Sequence, residues 1–88
     1  MNIEINKLSE NEIVDRGIRS WPIWACDTSQ FDWEYENTES CYLLEGEVEV
    51  TSEFETVQFS AGDFVVFPKG LKCHWTVRTP VRKHYSFS

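Results

Sequence analysis

Two stretches decide the fold: Glu39-Ser40-Cys41-Tyr42-Leu43-Leu44-Glu45-Gly46 and Gly62-Asp63-Phe64-Val65-Val66-Phe67-Pro68-Lys69-Gly70-Leu71-Lys72-Cys73. The first alternates: Glu39, Cys41 and Leu43 fall on one face of an extended chain and Ser40, Tyr42 and Leu44 on the other. The second is a short apolar run opened by a glycine turn and closed by Pro68-Lys69-Gly70, as befits a buried strand between two turns. Outward from them the same grammar repeats. Strand-like runs are expected over 21–27, 30–36, 39–45, 47–53, 56–60, 63–67, 72–78 and 81–87, with turns at Asn37-Thr38, Glu45-Gly46, Ala61-Gly62-Asp63 and Pro68-Lys69-Gly70. Many short strands at close, regular spacing point to an all-β sandwich or barrel, and closing the sheet hides its edges.

The first twenty residues differ. Asn2–Asn6 alternates as a strand, Ser9-Glu10-Asn11-Glu12 is a capping box, and Gly17 can end one or two helical turns over 10–16. No linker, internal repeat or low-complexity stretch divides the chain. The expectation is one domain over 1–88, with a strand and short helix in 1–20 packed on a barrel formed by 21–88.

A net charge of −7 argues against partners that need a basic surface, so neither nucleic acid nor an anionic membrane is expected. The charge is unevenly placed: residues 1–55 carry fourteen acids and three bases, residues 56–88 one acid and five bases. In an antiparallel barrel that asymmetry reads as cross-strand pairing. The three cysteines, Cys26, Cys41 and Cys73, form no CxxC motif, and their odd number suits a reducing cytoplasm better than a disulfide scaffold. No basic-plus-apolar leader and no apolar run of membrane-spanning length is apparent.

Alternation also assigns faces. Trp33 and Tyr35 share one; so do Cys73, Trp75 and Val77; in the last run Lys83, Tyr85 and Phe87 lie opposite Arg82 and His84. If the apolar members point inward, Glu39 and Lys83 point inward with them. A buried carboxylate and ammonium are costly unless paired or wetted, so this pair is the most function-like feature of the pattern. His74 and His84, on the opposite face, are expected at the surface or in an interface, and Tyr42, Leu44 and Val66 are expected to point outward.

Two spacings narrow the reading. Glu39 is followed by six residues and Gly46; Gly62 by five residues and Pro68, one and Gly70, then two and Cys73. Together they resemble the paired motifs of the cupin superfamily, jelly-roll β-barrels in which the first motif carries two histidines, a glutamate and a glycine, and the second a glycine, a proline, a glycine and a third histidine. Trp21-Pro22-Ile23-Trp24, Phe31-Asp32-Trp33, Cys41–Gly46, Phe67–Gly70 and Val81-Arg82-Lys83-His84-Tyr85 look like a short single-domain cupin group related to (S)-ureidoglycine aminohydrolase and to the ethanolamine-utilisation cupin. The resemblance implies a homodimer, with the outward Tyr42, Leu44 and Val66 as candidates for its contact. It also places Trp33, Tyr35 and Cys73 where cupins carry their metal histidines, leaving only Glu39 of the ligand set, and it puts Asp27 at the first motif's opening glycine. Tryptophan binds no metal, and imidazole or several convergent carboxylates are missing. No cofactor is therefore expected, with a weakly held divalent metal at Glu39 and Cys73 as the alternative.

The candidate acid–base and assisting residues are Glu39, Tyr35, Cys73 and Lys83, and the candidate ligand-binding residues are Trp33, Trp75, Tyr85 and Cys41. Glu39 suits proton transfer if buried. Lys83 suits an anionic or carbonyl group, or partners Glu39. Cys73 is a nucleophile only if its pKa is lowered, and it and Cys41 read equally as small buried thiols. The rings line a pocket or fill the core. Three functions follow: a module binding a small polar metabolite, a small-molecule hydrolase or isomerase, and a structural subunit of an assembly.

Overall fold

The computed structural model describes all 88 residues. Seven strands dominate: β1 (Glu4–Lys7), β2 (Ile23–Cys26), β3 (Ser29–Glu34), β4 (Glu39–Ser52), β5 (Thr56–Ser60), β6 (Asp63–Phe67) and β7 (Lys72–Phe87). One helix, α1 (Glu10–Asp15), and a single 3-10 turn, Ile18–Ser20, lie between β1 and β2. The helix starts with the capping box read from the sequence: the Ser9 hydroxyl accepts from the Glu12 amide, and the Glu12 carboxylate accepts from the Ser9 amide.

The sequence breaks at Gly46 and near Pro80 do not end strands. The runs expected at 39–45 and 47–53 are one strand, β4, and those at 72–78 and 81–87 are one strand, β7. The two long strands pair antiparallel from Glu39↔Phe87 to Ser52↔Cys73, with register shifts between Leu43 and Val48. These irregularities are bulges, which bend a strand and raise its local twist. Gly46 makes the bend possible: its φ is +106°, and a Cβ there would sit 2.7 Å from the Pro80 carbonyl oxygen. Pro80, with no amide to donate, lies at the same irregular point.

The bend folds one sheet over itself. On one side β5, the second half of β4, the first half of β7 and β3 lie edge to edge; on the other are β1, β6, the first half of β4, the second half of β7 and β2. Val48, Val50, Phe59, Trp75 and Val77 from the first side meet Cys41, Leu43, Val65, Phe67 and Val81 from the second in one buried cluster. Burying such side chains is the main favourable term in folding, each about 1.5–3 kcal/mol.

The outer face of the second side is covered by the chain itself. Ile13 of α1 and Ile18 pack on Phe64 of β6, with Tyr42, Val66 and Trp21 against them. Tyr42 and Val66, expected on an outer contact face, are thus half-buried under the N-terminal segment. His84, expected at the surface or in an interface, is instead buried within the chain for the same reason: Trp21 passes over it, and its Nδ1 lies 2.9 Å from the Trp21 carbonyl oxygen. The uneven charge resolves into pairing between the long strands: Arg78 meets Glu49 at 3.0 Å, Arg82 meets Glu45 at 3.2 Å, and Lys83 meets Glu39.

Candidate functional site

Lys83 of β7 stands directly opposite Leu43 of β4 on one side and Trp24 of β2 on the other. Its partner Glu39 lies four positions along β4 from Leu43, so the ammonium reaches along the barrel to the carboxylate. The side chains are only 6% and 5% exposed. Charges so shielded need each other, because an unpaired one would carry the full cost of desolvation. The ammonium is also held by ring faces: Nζ lies 4.9 Å from the centroid of Trp75, 5.1 Å from Trp24 and 6.0 Å from Phe67.

Around this pair the barrel leaves a cavity of about 560 Å³, within the range of small-molecule sites. Glu39 and Lys83 are its charged interior. Trp24, Phe31, Trp75 and Tyr85 form its walls, and Trp33, Phe87 and Asp32 are exposed at its margin. The rings brace one another: Phe31 stacks on Trp75 at 5.7 Å and 15°, and Trp24 meets both edge-on, at 6.2 and 6.1 Å. Tyr35 stacks on Phe67 at 4.8 Å and 6°. Its backbone is clamped by the turn after β6, accepting from the Gly70 amide and donating to the Leu71 carbonyl. Its hydroxyl accepts from the Trp75 indole N–H at 3.2 Å. Burial, with Glu39 nearby, raises the Tyr35 phenol well above its ordinary value, so it stays a neutral donor.

The structure thus brings Glu39, Tyr35, Lys83, Trp33, Trp75 and Tyr85 to one cavity. The two cysteines named with them sit elsewhere. Cys41 is fully buried, is not among the cavity's lining residues, and has its thiol pushed up to about 12 by burial. Cys73 is buried in the core cluster beside Trp75, edging a separate shallow hollow with Lys72 and His74, and burial raises its thiol to about 11. Both therefore keep their protons near neutral pH. Trp24 and Phe31 escaped the sequence reading as site residues. The signal was there: period-two alternation puts Trp24 on one face with Cys26, and Phe31 on one face with Trp33.

A family model for the EutQ-like cupin domain matches residues 15–85. The chain belongs to this cupin family. A DUF861 family protein from Thermotoga maritima is 44% identical, over 99% of this chain and 100% of its own, with a TM-score of 0.97. A putative ethanolamine utilization protein Q from Salmonella typhimurium is 27% identical over 99% of this chain and 69% of its own, TM-score 0.64. The Clostridium difficile EutQ protein is 25% identical over 74% of this chain and 52% of its own, TM-score 0.68. No curated protein matches the chain. No helix of this cupin is long and apolar enough to cross a membrane.

Cupins commonly hold a metal, and the residues of this one do not fit it. No three His, Cys, Asp or Glu side chains converge. His74 is engaged on the outer face with Asp32 at 2.8 Å and Gln30 at 3.3 Å, and His84 faces Trp21. The three positions that the resemblance sets against cupin metal histidines hold an indole, a neutral phenol and a neutral thiol, and Glu39 already neutralises an ammonium.

Proposed function

We propose that this cupin binds a small polar organic molecule in the barrel interior, with Lys83 and Glu39 reading its polar end and Trp24, Phe31, Trp75 and Tyr85 enclosing its body. The observation that carries this reading is the buried Lys83–Glu39 pair lining an aromatic cavity of about 560 Å³. A barrel serving only as scaffold gains little stability from such a pair, because well-packed apolar side chains of similar volume are often as stable or more so. Metal-dependent hydrolysis of the kind performed by (S)-ureidoglycine aminohydrolase lacks a ligand set here, so any catalysis at this site would be proton transfer by Glu39 with Tyr35 or Lys83 assisting. The three free cysteines accord with a cytoplasmic setting.

A ligand that binds only the folded state raises its stability, by about 2.7 kcal/mol at a hundredfold excess over Kd. The test is a thermal-shift screen of the purified protein against amino acids, ureides, sugars, nucleobases and small carboxylic acids, repeated with Glu39→Gln and Lys83→Met. Ligands should shift the wild type and lose that shift in both variants. A shift retained by both would place binding elsewhere, and a blank screen would remove the binding reading. Metal analysis of the same protein should find no stoichiometric transition metal; one equivalent would overturn the metal-free reading.

A further inference from the structure

The polar groups of the cavity are unequally used. An ammonium has three donors. One N–H of Lys83 goes to Glu39 Oε2, and no other oxygen or nitrogen accepts from it, although Nζ lies 5.1 and 4.9 Å from the Trp24 and Trp75 ring centroids. The Tyr35 hydroxyl accepts from Trp75 and has no acceptor for its own proton. Glu39 accepts from Lys83 through Oε2 alone, and Oε1, which has no protein donor, is not sealed from the cavity. The interior therefore offers unspent donors from Lys83 and Tyr35 beside one unspent acceptor on Glu39, all three residues lining one cavity and at most 5% exposed. A binding site rejects ligands that leave such groups unpaired, because a buried donor without an acceptor carries its full desolvation cost. Around these groups the lining is apolar and aromatic, with half-buried Trp24, Phe31 and Tyr85 presenting ring surface to the cavity. Flat π-systems are the natural occupants of such walls.

We infer that the site takes a flat ring whose edge carries a carbonyl oxygen next to an N–H, the carbonyl accepting from Lys83 and Tyr35 and the N–H donating to the free oxygen of Glu39. This rests on the reading of the cavity as a small-molecule site and specifies the class of molecule. A ring carboxylate would satisfy the donors but set a second negative charge against Glu39; an unsubstituted aromatic would satisfy neither; a ring cation would meet the ammonium.

Four probes separate these: 2-pyridone, N-methyl-2-pyridone, benzoate and toluene, titrated into ¹⁵N-labelled protein and followed at the indole N–H signals of Trp24 and Trp75. The inference expects 2-pyridone to bind in the cavity and the N-methyl compound to bind roughly tenfold more weakly or worse, the loss of one hydrogen bond to a charged acceptor. Benzoate and toluene should be weaker than 2-pyridone as well. Tyr35→Phe, which keeps the ring and removes only the hydroxyl, should weaken 2-pyridone several-fold and leave toluene unchanged. Equal binding of 2-pyridone and its N-methyl analogue, or tighter binding of benzoate or toluene, would overturn the donor–acceptor assignment while leaving a small-molecule site in place. If no ring probe binds but other compounds in the thermal-shift screen do, the inference alone falls; if that screen is also blank, both fall.

Discussion

Replacing Lys83 with methionine keeps an unbranched, flexible side chain of similar length at the cavity floor and deletes its charge. Three consequences follow from the geometry. Glu39, 5% exposed, loses the only cation bonded to it. The ring faces of Trp24 and Trp75 lose an ammonium at 5.1 and 4.9 Å. The volume stays filled, so no large cavity term is added. Breaking a buried pair from one side typically costs about 3–5 kcal/mol, most of it the uncompensated charge. In a domain of this size each kcal/mol moves Tm by about 4–8 °C, so Lys83→Met should melt at least about 12 °C below the wild type. Urea unfolding followed by tryptophan emission gives the free energy directly. The decisive comparison is the double variant Glu39→Leu/Lys83→Met. Removing both charges should restore stability to within about 1 kcal/mol of the wild type, or exceed it. A Lys83→Met loss below about 1 kcal/mol would mean that the carboxylate is wet and the pair is not shielded. A double variant as unstable as the single one would mean that shape, not charge, is what the site requires.

Further outcomes can be checked in the same assay. Gly46→Ala should cost about 3 kcal/mol or more, since a positive φ and backbone atoms of Pro80 and Val81 within 3 Å both oppose a Cβ. Gly62→Ala, with φ +93° but only the flexible end of Lys7 near, at 3.9 Å, should cost only about 1–2 kcal/mol; equal losses would show that the close approach at the bend is not real. Ser9→Ala should cost about 1 kcal/mol through loss of the cap on α1, and no change would mean that this helix adds nothing to stability. Stability should also fall above pH 9. Burial holds the Cys41 thiol up to about 12 in the native state, whereas the unfolded thiol ionises near 9. Between those values the unfolded state binds fewer protons, so rising pH favours it, by about 1.4 kcal/mol for this thiol at pH 10. Cys41→Ala should therefore lose less stability than the wild type between pH 8 and pH 10, by about that amount; parallel losses would refute the shielding of Cys41.

Period-two alternation made much of this legible. It put Glu39, Cys41 and Leu43 on one face and Lys83 on the face of Tyr85, and the structure turns both faces inward. The glycine and proline turns were legible for a similar reason, since backbone geometry there restricts the residue type. Three things were hidden because they depend on distant partners. Gly46 and Pro80 look like strand ends in one dimension and become bulges only when β4 and β7 lie side by side. His84 has an outward side chain by parity and is buried only because Trp21 and the Ile13–Ile18 segment return over that face. The lining role of Trp24 follows from its register opposite Lys83, a pairing between residues 59 positions apart in the chain numbering that no local window contains.

The pairing of β4 with β7 also has a kinetic side. Its contacts run from Ser52↔Cys73 at the near end to Glu39↔Phe87 at the far end, and the intervening chain must first form β5 and β6. Closing a longer loop costs more chain entropy, and sheets dominated by such non-local pairs fold in milliseconds to seconds. The near end is therefore expected to pair before the far end. Glu39 and Lys83, 44 residues apart, belong to the far end. The ion pair is thus expected to form late in folding, and the proposed site is complete only when the last stretch of β7 has docked.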